Sequence, residues 1–349
     1  MINISVCIIT KNEAQYLDKC LSGLSKYPFE IVVTDTGSTD NSIEVAKKYT
    51  NNISTYEWCD DFSAARNYSV SKAGNDYVLI VDTDEFVKDV DIKEFDRLIK
   101  LNPGAVGRTE IININTRNGE SDASHERVSR FYDRRLFEFK GSVHEQIVAK
   151  NGEPHSTYDI PVAFEHVGYN GNDEEREKKA LRNIELLKSE LEKQYDPYYL
   201  YQLGKSYYMM GKYAEAVGAF SQAASFDLDT KLEYVIDMIT TYGYSMLNAG
   251  MTKEALMFEN IYDEFSGTAE FVFMMGFVYM NNAVFDRAVE EFEKASKFQQ
   301  CMVEGVNSYK AYYNIGVIYE CLGDKENALK YYRRCGNYDK AKLRIKAMM

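Results

Sequence analysis

Two carboxylates, Asp82 and Asp84, close the apolar run Tyr77-Val78-Leu79-Ile80-Val81. Oxygen donors at i and i+2 just past a buried strand can reach one ligand where the chain turns, and hard oxygen donors suit Mg²⁺ or Mn²⁺. Such a metal would bridge a diphosphate and offset the charge that develops as it leaves. An Asp-x-Asp pair at a strand end is also an ordinary solvated turn, so context must decide. The chain holds four histidines, His125, His144, His155 and His166. Its six cysteines, Cys7, Cys20, Cys59, Cys301, Cys321 and Cys335, form no Cys-x-x-Cys pair. Zinc chemistry is therefore not expected, and the thiols, mostly inside apolar runs, read as buried and free in a reducing compartment.

Elements must bring these groups together. Ile4 to Ile9 is a short β-rich run that stops at polar Thr10-Lys11-Asn12-Glu13. Residues 14–25 follow with helical spacing of Tyr16, Leu17, Cys20, Leu21 and Leu24. Glu30 to Thr34 reads as a second buried strand, ending at Asp35-Thr36-Gly37-Ser38-Thr39-Asp40 and followed by a helix with Ile43, Val45 and Ala46. A further helix spans about Asp61 to Ala73 and leads into the strand before Asp82. Strand, helix, strand at this spacing is a βαβ unit with a mostly parallel sheet. Ligands of such sheets lie beyond the carboxyl ends of the strands. Thr10 to Glu13, Asp35 to Asp40 and Asp82 to Asp84 are all expected at that edge. Gly37 suits a tight turn, and Asp40 or Ser38 is expected to cap the next helix. From 105 to 168 the pattern changes to short β-like runs (110–116, 129–132, 143–149 and 162–165), a mixed extension of the sheet. Residues 168–177 read as a polar linker.

The remainder is helical and repetitive. Leu203, Gly204, Tyr207, Gly211, Ala216, Phe220 and Ala223 fit the tetratricopeptide pattern. The frame returns at Gly243, Gly250 and Ala255, again at Gly276, Tyr279, Ala288, Phe292 and Ala295, and again at Gly316, Tyr319, Gly323, Ala328 and Tyr332. Small residues let the two helices of a hairpin approach, and aromatics are expected to fill the gap between hairpins. Four copies exceed the roughly three that a stable stack needs.

Composition bounds the partners. A formal net charge of −13 over 349 residues argues against non-specific nucleic-acid binding. No run reaches the roughly 18 apolar residues of a transmembrane span, and the start has no basic leader. The expected location is cytoplasmic.

Three of these pieces together resemble family 2 glycosyltransferases of the GT-A fold: Cys7-Ile8-Ile9-Thr10-Lys11-Asn12-Glu13, Ile31 to Asp40, and Asp82-Thr83-Asp84. The resemblance spans residues 1–100 well and 101–168 moderately. Trp58-Cys59-Asp60-Asp61-Phe62-Ser63-Ala64-Ala65-Arg66-Asn67, Lys140-Gly141-Ser142-Val143-His144-Glu145 and His166-Val167-Gly168-Tyr169 resemble a bacterial subgroup with tetratricopeptide repeats behind the catalytic domain. That subgroup includes the peptide glycosyltransferases that modify glycocin bacteriocins. The resemblance implies an α/β GT-A domain, Rossmann-like with a mostly parallel sheet, over residues 1–170, and an all-α tetratricopeptide-repeat domain over 171–349.

It also implies roles. Thr10 and Glu13 would lie against the nucleotide of a UDP-sugar donor, and Asp35 would accept a hydrogen bond from the uracil N–H. Arg66 would sit near the base or diphosphate, or would pair on the surface with Asp60 or Asp61. Asp82 would face the ribose, Thr83 would contribute backbone, and Asp84 would bind Mn²⁺ or Mg²⁺, with His166 a metal or diphosphate contact. In inverting transfer a carboxylate opposite the leaving diphosphate must take the acceptor proton. Glu145 is the candidate base, with His144 orienting it or acting itself; alternatively Glu145 pairs with Arg134, Arg135 or His144 and only braces the site. The repeats would hold a peptide or protein acceptor, or make a homodimer; the alternatives are a lipid-linked or cell-wall glycan as acceptor, or a catalytically idle repeat scaffold. Their tyrosines (Tyr195, Tyr198, Tyr199, Tyr201, Tyr207, Tyr208) suit contact surfaces, and equally fill a helical core.

Overall fold

A computed structural model describes residues 2–117, 120–167 and 173–349. Gly168 and Tyr169 of the last motif, and half of the 168–177 linker, lie outside them. Two compact units divide the chain, Met1–Arg176 and Glu177–Met349.

The first unit is built on the three apolar runs seen in the sequence. They form β1 (Ile4–Thr10), β2 (Glu30–Asp35) and β4 (Tyr77–Ile80), with a short β3 (Ile53–Thr55). Each run is Val- and Ile-rich and almost continuously buried, as a strand covered on both faces must be. Helices α1 (Ala14–Leu24), α2 (Ser42–Ala46) and α3 (Phe62–Ser71) connect them. After the Asp82–Asp84 turn come β5 (Glu85–Val90) and α4 (Ile92–Leu101), capped by Asp91, whose side chain accepts from the Lys93 and Glu94 N–H groups. The short runs expected between 105 and 168 are instead two long strands, β6 (Val106–Arg117) and β7 (Glu120–Asp133), then β8 (Phe137–Lys140), β9 (Gln146–Ala149) and β10 (Thr157–His166).

The eight-stranded sheet has the order β3-β2-β1-β4-β7-β6-β10-β5, and β8 and β9 form a separate hairpin. β1 pairs parallel with β2 and β4, and β10 with β6; β7 and β5 run antiparallel to their neighbours. The sheet is curled, because β5 follows β4 by four residues yet occupies the far edge. There it packs on α1: Tyr16 stacks on Phe86, and Val87 lies against Gly23. The register sets Thr10 opposite Asp35 and Cys7 opposite Ile80. All three polar loops therefore leave the sheet at one edge.

The second unit is a stack of helical hairpins. It contains α5 (Asp173–Lys193), which begins in the first unit, then α6 (Pro197–Met209), α7 (Tyr213–Ala223) and α8 (Glu233–Asn248). A 3₁₀ run, Glu254–Ile261, leads into the short α9 (Tyr262–Phe265). α10 (Ala269–Asn281), α11 (Phe285–Ala295), α12 (Tyr309–Cys321), α13 (Lys325–Arg334) and α14 (Asp339–Met348) complete it. The aromatics do not all bridge hairpins as expected. In three hairpins an aromatic lies sixteen residues after a glycine and packs on it within the same hairpin. A β-carbon at Gly204 would lie 2.5 Å from Phe220 Cε1, at Gly276 2.7 Å from Phe292 Cε1, and at Gly316 2.6 Å from Tyr332 Cε1. Sixteen residues after Gly243 stands Glu259, and here the second helix is replaced by the 3₁₀ run.

Of the tyrosines, Tyr201 is buried, Tyr198, Tyr207 and Tyr208 pack on the core at its margin, and Tyr195 is exposed. All six cysteines are free; Cys7, Cys20 and Cys335 are buried, but Cys59 and Cys321 are exposed and Cys301 is intermediate, so burial holds for half of them.

Candidate functional site

The first two loops are tied together by their own side chains. Asn12, in a left-handed conformation (φ 55°), accepts through Oδ1 from the Thr39 N–H at 2.7 Å and donates its own N–H to Ser38 Oγ at 2.9 Å. Thr36 donates N–H and hydroxyl to the Thr10 carbonyl. Asp40 does not simply cap the following helix: Oδ1 accepts from Ser42 while Oδ2 accepts from the Ala14 N–H, bracing the start of α1. The Ser42 hydroxyl in turn holds its pKa below the ordinary carboxylate value. Ser42 Oγ also accepts from the Glu13 N–H.

Asp35 divides its two oxygens. Oδ2 accepts from the Gly37 and Ser38 N–H groups at 3.0 Å each, fixing the turn in which Gly37 takes φ 103°. Oδ1 is buried and has no partner in the protein, as does the hydroxyl of Thr10 beside it in register. Buried polar atoms normally find a partner, which sets this pair apart from the rest of the two loops.

The third loop is held by charge. Asp82 gives one oxygen to each of two arginines: Oδ1 to Arg66 Nη2 at 2.8 Å and Oδ2 to Arg130 Nη2 at 2.7 Å. Arg66 also donates through Nε to Glu145 Oε1. The side chains of Arg66 and Glu145 are only 7% and 9% exposed. Arg66 therefore pairs with neither Asp60 nor Asp61, and Glu145 pairs with a different arginine from the two expected. Glu85 is the hub beneath: Oε2 accepts from the Asp82 N–H at 2.9 Å and Oε1 pairs with Arg130 at 3.0 Å. Burial raises the pKa of Asp82, but Arg130 and Arg66 outweigh it and hold the group well below the ordinary range. For Glu85 burial dominates and the pKa is raised despite Arg130. Thr83 is buried, and the Cys20 thiol donates to the Asp82 carbonyl from behind.

Asp84 stands apart from this network. Its Oδ2 lies 3.4 Å from His166 Nε2, both side chains being about one-fifth exposed. His166 Nδ1 lies 2.7 Å from Asn113 Oδ1, which orients the ring. Burial disfavours the imidazolium, but the hydrogen bond to Asp84 and the nearby carboxylates win, and the His166 pKa is raised. β10 and β5 pair so that His166 faces Glu85, which brings the last strand to the Asp82–Asp84 turn.

The subgroup motifs meet here as well. Asn67 exchanges two hydrogen bonds with the backbone of Phe139, and the Phe62 N–H donates to the Ser142 carbonyl. These bonds fasten α3 to the β8–β9 hairpin and so hold Arg66 against Glu145. His144 takes φ 50°, and its carbonyl accepts from Gln146. Sequence reasoning missed Arg130, Glu85 and Asn113. Its only signal for Arg130 was a charge beside the apolar Phe131-Tyr132 pair, and for Glu85 its place next to Asp84. Among the described residues no three His, Cys, Asp or Glu side chains are grouped to hold a metal by themselves.

This α/β sheet, with acidic loops at the carboxyl edge of its parallel strands, is followed by a helical repeat unit, and the similarities to known proteins fall along the same division. Residues 5–151 match Glycosyl transferase family 2, and residues 197–229 and 309–342 match tetratricopeptide repeats. The chain thus carries a family 2 glycosyltransferase domain followed by tetratricopeptide repeats. Its relatives include the SPbeta prophage-derived glycosyltransferase SunS of Bacillus subtilis, 27% identical over 61% of this chain and 51% of that one. A TPR repeat-containing protein of Synechococcus elongatus is 38% identical over 24% of this chain and 21% of its own length. The poly(ribitol-phosphate) beta-N-acetylglucosaminyltransferase TarS of Staphylococcus aureus is 29% identical over 27% of this chain and 18% of that one. The chain thus spans about half of SunS and a fifth of the Synechococcus protein. Among the described residues no helix is long and apolar enough to cross a membrane.

Proposed function

We propose that the chain is an inverting glycosyltransferase that moves a hexose or N-acetylhexosamine from a UDP-sugar to a Ser, Thr or Cys side chain of a peptide or protein. Residues 1–170 would carry the chemistry, and residues 171–349 would engage the acceptor or a second copy. The observation that carries the reading is Arg66, which joins Asp82 at the nucleotide edge to Glu145. One guanidinium thus fixes the distance between the donor side and the residue assigned as base.

The assignments follow the geometry. The unpartnered Asp35 Oδ1 and Thr10 hydroxyl suit the N–H and carbonyl edge of uracil, with Glu13 and the ordered Asn12–Thr39 contact closing the pocket wall. Asp82, with both oxygens committed, positions Arg66 and Arg130 beside the ribose and diphosphate, and Thr83 contributes backbone. Asp84 and His166 would hold Mn²⁺ or Mg²⁺. They fit it: one carboxylate and one imidazole adjoin at the crevice, and such ions take one or two protein ligands and complete their shell with phosphate oxygens and water. At this edge five carboxylates (Asp35, Asp82, Asp84, Glu85, Glu145) stand against Arg66 and Arg130, so an added cation also relieves repulsion of the diphosphate. When bound, the ion would neutralise charge on the departing UDP. Glu145 would take the acceptor proton as the acceptor oxygen or sulfur attacks, with His144 orienting it.

A second reading keeps the donor and replaces the peptide with a cell-wall or lipid-linked glycan. The likeness to TarS, named for poly(ribitol-phosphate), supports it. Mass spectrometry of Ser-, Thr- and Cys-containing peptides incubated with a panel of UDP-sugars and Mn²⁺ tests the proposal. A hexose or N-acetylhexosamine mass on peptide supports it. UDP binding without peptide transfer favours the glycan acceptor. Absence of UDP binding by calorimetry, with or without Mn²⁺, removes both.

A further inference from the structure

The strongest charge asymmetry in the molecule lies far along the chain from these loops. Residues 325–349 carry eight Lys or Arg against two Asp or Glu, in a chain that holds 41 against 54 overall. All eight are on exposed positions of α13 and α14. α14 is two-sided. Ala341 is buried and Ile345 and Met348 are partly covered, and together they pack toward Tyr332 and Tyr338. Its outer face presents Leu343, 68% exposed, one turn from both Lys340 and Lys346. Leu322, at the end of α12, and Met349 are exposed as well. The acids on these helices are Glu326 and Asp339, and Asp339 pairs with Lys342 while Glu320 of α12 meets Arg344.

We infer that the α13–α14 surface rests on an anionic lipid bilayer. A basic face attracts acidic headgroups, and an apolar residue in its midst gains by entering the interfacial region. A soluble polyanion would reward the lysines but would leave Leu343 in water. The surrounding chain is acidic, so the field also orients the molecule: the basic face is drawn toward the bilayer and the remainder is repelled. The contact is electrostatic in reach and weak in each part, so it is reversible and sensitive to salt. It is independent of the sugar-transfer proposal.

Co-sedimentation of the full chain with vesicles tests it. The protein should pellet with phosphatidylglycerol-containing vesicles and not with phosphatidylcholine alone, and binding should fall by about tenfold between low and high salt. The K340E/K346E variant, changed at two exposed positions, should lose about tenfold in partitioning while keeping its helical circular dichroism. Leu343→Ser should weaken binding further at high salt, where the charge contribution is screened. Equal binding to neutral vesicles, or none to anionic ones, overturns the inference. So does tighter capture by single-stranded RNA or polyglutamate than by vesicles, which would assign the surface to a soluble polyanion.

Discussion

The two units bury different things. The first places two guanidiniums and three carboxylates in a connected, largely water-excluded network around Asp82. The second places glycine against an aromatic ring in three of its hairpins and fills the space between them with Phe, Met and Val. Buried ion pairs are a poor route to stability, because desolvation can exceed the Coulombic gain. Shape-matched apolar packing has no such opposing charge term, but it tolerates almost no added volume. The difference separates a region arranged for chemistry from one arranged for rigidity, and each should fail in its own way.

The largest effect should come from Glu145→Gln. If the residue takes the acceptor proton, turnover falls by about 10²- to 10⁴-fold while UDP binding by calorimetry is unchanged; transfer at the wild-type rate would leave Glu145 a brace. Arg66→Ala should cost about 3 kcal/mol in denaturant unfolding, since it strips the largely buried Glu145 of its arginine and the partly exposed Asp82 of one of its two. An Arg66→Ala protein as stable as wild type would mean that the network carries no buried charge of consequence, and the contrast between the units would vanish. In the helical unit Gly276→Ala should cost about 1–3 kcal/mol, because its new methyl meets Phe292. Gly218→Ala, in α7 with nothing within 4 Å, should instead stabilise by about 0.5–1 kcal/mol. Equal effects at the two glycines would dismiss the packing account.

The smallest effect is a pH dependence. His166 has its folded pKa raised above 6.5. Its contribution is therefore present in full below the unfolded value and is lost as pH rises through the higher folded value. Metal-free protein should lose a little melting temperature between about pH 6 and 8 relative to a His166→Gln variant. A parallel loss in both proteins would place the titration elsewhere.

Much of this contrast could be read from the chain. β1, β2 and β4 are continuous apolar runs, and their polar ends mark the loops that the register then aligns. The glycine-to-aromatic interval of sixteen residues marks three of the hairpins, and Glu259 in place of an aromatic after Gly243 marks the irregular one. Other elements were hidden for physical reasons. β5 reads Glu-Phe-Val-Lys-Asp-Val, an edge strand whose solvent side is charged. In β6 and β7 the charges satisfy one another across strands, Glu110 with His125 and Arg127, so alternating polarity conceals two long strands. Arg130 and Glu85 were missed because a charge in a strand ordinarily faces water. Only the pairing of non-adjacent strands turns these two inward onto Asp82.

That pairing has a consequence for how the molecule comes into being. Asp84 leaves the ribosome long before His166, yet the two become neighbours only after β10 has inserted between β6 and β5. Until then Asp84 lacks His166 and β5 has no strand partner, although Arg66 and Arg130 are already present for the other acids. Closure of the first unit is thus a late, long-range event, of the kind that slows folding and leaves a nascent chain open to mispairing.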